Sequence, residues 1–141
     1  MGIQTKLQRE KFSRLRQSLL HLLDEIKRLI EPFFSDRPVI KGTAYELKRR
    51  CGKPGCRCVR GELHRRMVVS ASEGGKTRLQ VIPKGFLVEV QAKVRRYQEH
   101  RRARARLGEL YRKMLRVIDE MEAMRREELP PSDKKRSSKG E

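Results

Sequence analysis

The chain is 141 residues long and carries 36 Lys and Arg against 18 Asp and Glu, a formal charge of +18, with 36% hydrophobic and 5% aromatic residues and no Trp. Typical globular chains are about 45–50% apolar, so only a thin core is expected, helped by elongated helices, a metal or self-association; a compact multilayer enzyme is excluded. Arg outnumbers Lys by 23 to 13, and the planar guanidinium fork matches phosphate oxygens better than a point charge does, so the expected partner is a polyanion.

No window approaches the about 18 apolar residues of a membrane span, and the start MGIQTKLQREKF lacks the apolar run of a secretory signal. The expectation is a cytoplasmic protein with no membrane partner. Three Cys in a reducing compartment point to a metal or reactive thiols ahead of disulfides.

Residues 1–34 read as an N-terminal amphipathic helix, from about Thr5 to Ile30, because Phe12, Leu15, Leu19, Leu22, Ile26 and Leu29 recur at steps of three and four. Pro32 and the turn-forming Ser35-Asp36-Arg37-Pro38 stop it. Over 40–83 the period changes to two. Tyr45 and Leu47, then Met67, Val69 and Ala71, then Leu79 and Val81 mark three short strands of an antiparallel β unit, with Glu73-Gly74-Gly75-Lys76 as a tight hairpin turn. Residues 84–129 read as a long basic helix closed by Pro130 and Pro131, with a seam of Leu107, Leu110, Met114, Val117, Met121 and Met124. The tail, 130–141, is basic and, from Ser132, has no apolar residue, so it is expected to be disordered. The expected class is α+β, mostly α: two long helices as an antiparallel hairpin or coiled coil, with the β unit between them. Seam left over on the longer helix would serve a homodimer or a partner protein.

Between the first two strands, Cys51, Cys56, Cys58 and His64 are spaced C-x4-C-x-C-x5-H. Three thiolates and one imidazole form a common structural zinc set, so the segment reads as a zinc knuckle. Gly52, Pro54, Gly55 and Gly61 let the backbone fold tightly around an ion, which replaces the core that this loop lacks. The single residue between Cys56 and Cys58 is shorter than the usual pair spacing, and His64 is the least distinctive ligand. Free or redox-active thiols, a disulfide or an iron–sulfur cluster are the alternatives. His21 and His100, alone in helices, read as surface or seam residues.

The stretch Gly42 through Val81, with Tyr45, Cys51-Gly-Lys-Pro-Gly-Cys56-Arg-Cys58, Gly61-Glu-Leu-His64, Gly75-Lys76 and then Pro83, resembles a family of small bacterial proteins carrying a CGKPxCxCxxGxxHG signature and classed as a domain of unknown function. The likeness is strong over about residues 40–100 and only a matter of pattern in the flanks. It implies a helix, a cysteine-bearing β unit and a long helix. The family's genes often lie near transposases and mobile elements, which implies a role connected with nucleic acid. Arg65 and Arg66 stand where the family has a small residue and Pro, and Met67, Val68 and Val69 where it has an aromatic run.

From Lys48 to Arg66, the cations Lys48, Arg49, Arg50, Lys53, Arg57, Arg60, Arg65 and Arg66 face one acid, Glu62. With Zn²⁺ on three thiolates the centre adds one negative charge, and the knuckle stays strongly cationic. On the long helix, Arg95, Arg102 and Arg106 project within about 40° of one another as a charged stripe. A surplus of this size destabilises the fold by self-repulsion unless an anion offsets it, which favours nucleic acid, DNA or RNA, over a solvated face. No Walker loop, nucleophile elbow or pair of carboxylates in a plausible pocket is evident, so neither catalysis nor a small-molecule substrate is expected. The leading expectation is a zinc-stabilised accessory protein that binds the phosphate backbone. The competing one is a coiled-coil adaptor whose zinc unit docks a partner protein.

Overall fold

The structure is a computed structural model and describes residues 5–132. The order of elements is α1 (Lys6–Ile30), a 3₁₀ turn at Glu31–Phe34, β1 (Thr43–Arg49), a second 3₁₀ turn at Arg57–Arg60, β2 (His64–Glu73), β3 (Lys76–Val81) and α2 (Leu87–Arg125). They form two compact units. Among the described residues, one comprises those up to Arg28 together with those from Gly108 on, and the other is Leu29–Leu107.

In the first unit, α1 begins at a capping box. Thr5 Oγ1 accepts the Gln8 backbone N–H at 3.1 Å, and Gln8 Oε1 accepts that of Thr5 at 3.0 Å, so two otherwise orphaned donors are satisfied. The seam expected of α1 is the face that leaves solvent: Phe12 is buried and Leu15, Leu19, Leu22 and Ile26 are half-buried, while Leu7, Leu20 and Leu23 between them are exposed. The α2 part behaves alike, with Leu110 fully buried and Met114, Val117, Met121 and Met124 half-buried. A groove in this unit is lined by Ser18, His21 and Leu22 of α1 and by Lys113, Val117 and Glu120 of α2. His21 is thus a surface residue at a groove between the two helices.

The second unit is built on an antiparallel sheet in the order β1-β2-β3. Thr43 to Arg49 pair with Ser70 to His64, and Val68 to Glu73 pair with Val81 to Lys76. The β2–β3 turn is the expected one: Gly74 (φ +56°) and Gly75 (φ +78°) supply consecutive left-handed angles at a two-residue hairpin. Val69, Ile82 and Val94 form the core, with Ile40, Ala44, Met67 and Val90 packed around it. One sheet face therefore covers the start of α2. The Ile40 N–H donates to the Lys93 carbonyl at 3.2 Å and Gln98 Nε2 to the Gly42 carbonyl at 2.6 Å, which fastens β1 to the helix. Phe33 meets His100 edge-on at 4.6 Å between ring centroids.

One expectation changes. The long helix runs over Leu87–Arg125 rather than 84–129, because Gly85 (φ +89°) turns the chain before it and Phe86 N–H closes that turn on the Pro83 carbonyl. The alternating residues of the three strands do not share a face: the register puts Tyr45, Leu47, Leu79 and Val81 opposite to Met67, Val69 and Ala71. As the central strand, β2 is flanked on both sides, and its run Met67-Val68-Val69 is apolar on both faces, with Val68 fully buried. Of the tail, residues 133–141 lie outside the described residues. No described helix is long and apolar enough to cross a membrane.

Candidate metal centre

Arg49 and His64 are the last pair of the β1–β2 ladder, so residues 50–63 are one hairpin connection. Hairpin loops usually have two to five residues, and a loop this long, without a core, needs another source of order. Its backbone is a series of tight turns. Gly52 takes a φ of +78°. The Cys56 N–H closes on the Lys53 carbonyl at 3.2 Å around Pro54-Gly55, and the N–H groups of Val59 and Gly61 close on the Cys56 and Cys58 carbonyls at 3.1 and 3.3 Å. Gly61 (φ +104°) ends the 3₁₀ turn in the left-handed region.

These turns bring the four expected ligands together. The Sγ atoms of Cys51, Cys56 and Cys58 and a ring nitrogen of His64 all lie within 4.8 Å of one another. Cys51 Sγ is 3.4 Å from Cys58 Sγ, and Cys56 Sγ is 3.0 Å from His64 Nε2. Tetrahedral zinc, with bonds of about 2.3 Å to sulfur and 2.0–2.1 Å to nitrogen, separates its ligand atoms by about 3.5–3.8 Å. The donor set and its spacing therefore fit one ion. The short Cys56-Arg57-Cys58 spacing is accommodated because Cys56 caps the 3₁₀ turn in an extended conformation while Cys58 lies inside it, fully buried. All three cysteines are free of disulfides.

The Cys51 backbone N–H points at Cys58 Sγ from 3.4 Å. That hydrogen bond, opposed by desolvation and reinforced by the thiols of Cys51 and Cys56, holds the Cys58 thiol below its ordinary value of 9.0. The Cys51 thiol is raised: the Lys53 backbone N–H favours its thiolate, but the neighbouring thiols of Cys58 and Cys56 and partial desolvation outweigh it.

The expected basic residues divide into groups. Arg49, Arg50, Lys53 and Arg66 line one cavity beside the cluster. Arg57 and Arg60 are exposed on the 3₁₀ turn. Lys48 stands opposite Arg65 in the ladder, and Arg65 is tied to Glu46 at 3.7 Å. On α2, Arg95 and Arg102 are exposed, whereas Arg106 is half-buried. The apolar residues on the cluster's own sheet face, Leu47, Leu79 and Val81, carry no role in the sequence reading; their strand alternation was the signal available.

A three-stranded antiparallel β unit whose first hairpin loop gathers three cysteines and a histidine defines a small α+β protein with a metal-binding type of cluster. The chain belongs to the family described as Domain of unknown function (DUF6788), whose model matches residues 12–92. That span runs from Phe12 in α1 through the entire sheet and into α2, so the first helix is part of the family's domain. No curated protein and no solved structure matches the chain.

Proposed function

We propose that the chain is a zinc-stabilised nucleic-acid-binding accessory protein. The observation that carries this reading is the junction of two features in one hairpin: four zinc-type ligand atoms within 4.8 Å of one another, and a loop whose remaining charged side chains are nearly all cations. Zinc would be held by the Cys51, Cys56 and Cys58 thiolates and by His64. It would lock residues 50–63 so that Arg57, Arg60 and their neighbours meet phosphates without a large loss of loop entropy. The reading is one of binding rather than catalysis, in a small bacterial protein of the CGKPxCxCxxGxxHG type, with a link to a mobile element or transposase and a cytoplasmic location. The α1 and α2 seams in the first unit are read as an antiparallel hairpin, since Arg9, Phe12 and Arg16 of α1 line a groove with Met121 and Arg125 of α2, while Ser18 to Glu25 do so with Lys113 to Glu120.

A second reading, an adaptor for a partner protein or a second copy, is favoured by the exposed Tyr111, Leu115 and Ile118, which recur at steps of four and three on α2. Titrating natively purified protein into labelled DNA and RNA at several salt concentrations separates the two. Nucleic-acid binding gives a log affinity that falls linearly with log salt, by about 0.7–0.9 per phosphate neutralised; an adaptor gives a much flatter dependence.

A further inference from the structure

The β-sheet has a second face, opposite to the core that α2 shares, where Val68 is buried at the centre but Leu79 and Val81 are exposed. The register puts Leu47, Arg49, His64, Arg66, Leu79 and Val81 on it, opposite to the face that carries Val69 and the core. A cavity of about 440 Å³ opens there, within the range of about 300–1,000 Å³ usual for small-ligand sites. Leu47, Leu79 and Val81 give it an apolar floor. Four cations, Arg49, Arg50, Lys53 and Arg66, stand around it, and among the described residues no carboxylate lines it. Cys51, Cys56 and His64 close one end, so the ion that holds them would also shape the cavity.

Both kinds of lining constrain the occupant. An isolated phosphate would satisfy the cations but leave the floor in water. Leu79 and Val81, 44% and 53% exposed, sit on an edge strand, where apolar side chains are a liability unless something covers them. A base pair within a duplex offers no free face to such a floor, because its faces are stacked on its neighbours. An unpaired base offers a flat apolar face flanked on both sides by phosphates.

We propose that this cavity seats an unpaired base of a single-stranded nucleic acid, its face on Leu47, Leu79 and Val81 and its flanking phosphates on Arg49, Arg50, Lys53 and Arg66. The proposal rests on the nucleic-acid reading above and adds the strandedness and the place of contact. Even with one negative charge from a zinc centre holding three thiolates, the four cations leave the cavity strongly attractive to a phosphodiester backbone. The exposed β3 edge lets the strand enter and leave on either side of the seated base.

The test uses the full metal-loaded chain and labelled 12-nucleotide DNA and RNA strands, compared with strands of equal length lacking bases and with the duplex. The intact single strand binds about tenfold more tightly than the abasic one, the gain expected from covering one base face. Leu79→Asp and Val81→Asp abolish that advantage, the added carboxylate weakening intact and abasic strands until they bind alike, with metal content and circular dichroism unchanged. Val81→Thr, which keeps the shape and suits a strand, reduces the advantage if the aspartates disturb folding. Equal binding of intact and abasic strands overturns the base-seating proposal while the nucleic-acid reading stands. Failure of every strand to bind at about 50 mM salt, where counterion release favours binding most, removes that reading itself. Anionic vesicles that compete with the strand in wild type but not in Leu79→Asp would assign the cavity to a lipid headgroup and overturn the proposal.

Discussion

Arg57 and Arg60 lie on the 3₁₀ turn inside the metal-bearing loop, and replacing both by Ala measures how much of nucleic-acid binding that loop carries. They and the four cations of the cavity make six charges in one place. If each neutralises one phosphate of a single strand, the slope of log affinity against log salt is about −4.2, or about 0.7 for each of six contacts. Raising salt from about 50 to about 200 mM then weakens wild-type binding by roughly 300-fold. The double variant keeps four contacts, so its slope falls to about −2.8 and the same salt change costs roughly 50-fold. Both residues are exposed and neither belongs to the core, so the fold should be unaffected. Fluorescence anisotropy of a labelled strand over a salt series reads both slopes. A wild-type slope shallower than about −1, or the same slope in the variant, would refute the assignment of phosphate contacts to this loop.

Further expectations test the fold and the centre separately. A Cβ at Gly42 would lie 2.6 Å from the Ser70 carbonyl oxygen and 2.7 Å from Val69 Cγ1, on a backbone with φ of +141°. Gly42→Ala should therefore cost about 2–4 kcal/mol by overpacking and strain, read by denaturant unfolding of the metal-loaded protein. Leu110→Ala, at a fully buried position, should cost about 2–3 kcal/mol in helix melting; an effect below about 0.5 kcal/mol would mean that the helix seam is not a packed core. Metal binding by three thiols should displace close to three protons near pH 7, so the apparent affinity drops by roughly a thousandfold per pH unit on acidification, read by metal titration over a pH series. Glu89 is held below its ordinary 4.5 by the hydrogen bond and charge of Lys93. Its pairing favours the fold above about pH 4.5 and fades only as pH falls through the lower folded value, so this ion pair persists between pH 7 and 5.

Much of the architecture was legible in the chain because its elements obey simple periods. Leu15, Leu19 and Leu22 alternate at three and four, and they leave solvent while Leu20 and Leu23 do not. Gly74-Gly75 reaches at little cost the left-handed angles that a two-residue hairpin demands at both positions. The four ligands could be chosen because cysteine and histidine among closely spaced glycines serve few other ends. The cavity was less legible. Strand pairing decides which side of a sheet a residue faces, and Leu79 and Val81 join Leu47 and Arg66 only through a register that one strand's alternation cannot reveal. The capping box at Thr5 and Gln8 was present as a T-x-x-Q pattern, whereas α2 ends at Arg125, several residues before the two prolines that the sequence offers as a stop.

Ordering of residues 50–63 by a single ion is tested most directly by elemental analysis of natively purified, unsupplemented protein. It predicts about one zinc per chain, lost together with hydrogen-exchange protection of the loop amides when a chelator is added. A metal-free chain whose amides at Cys56, Val59 and Gly61 are nevertheless protected would contradict it.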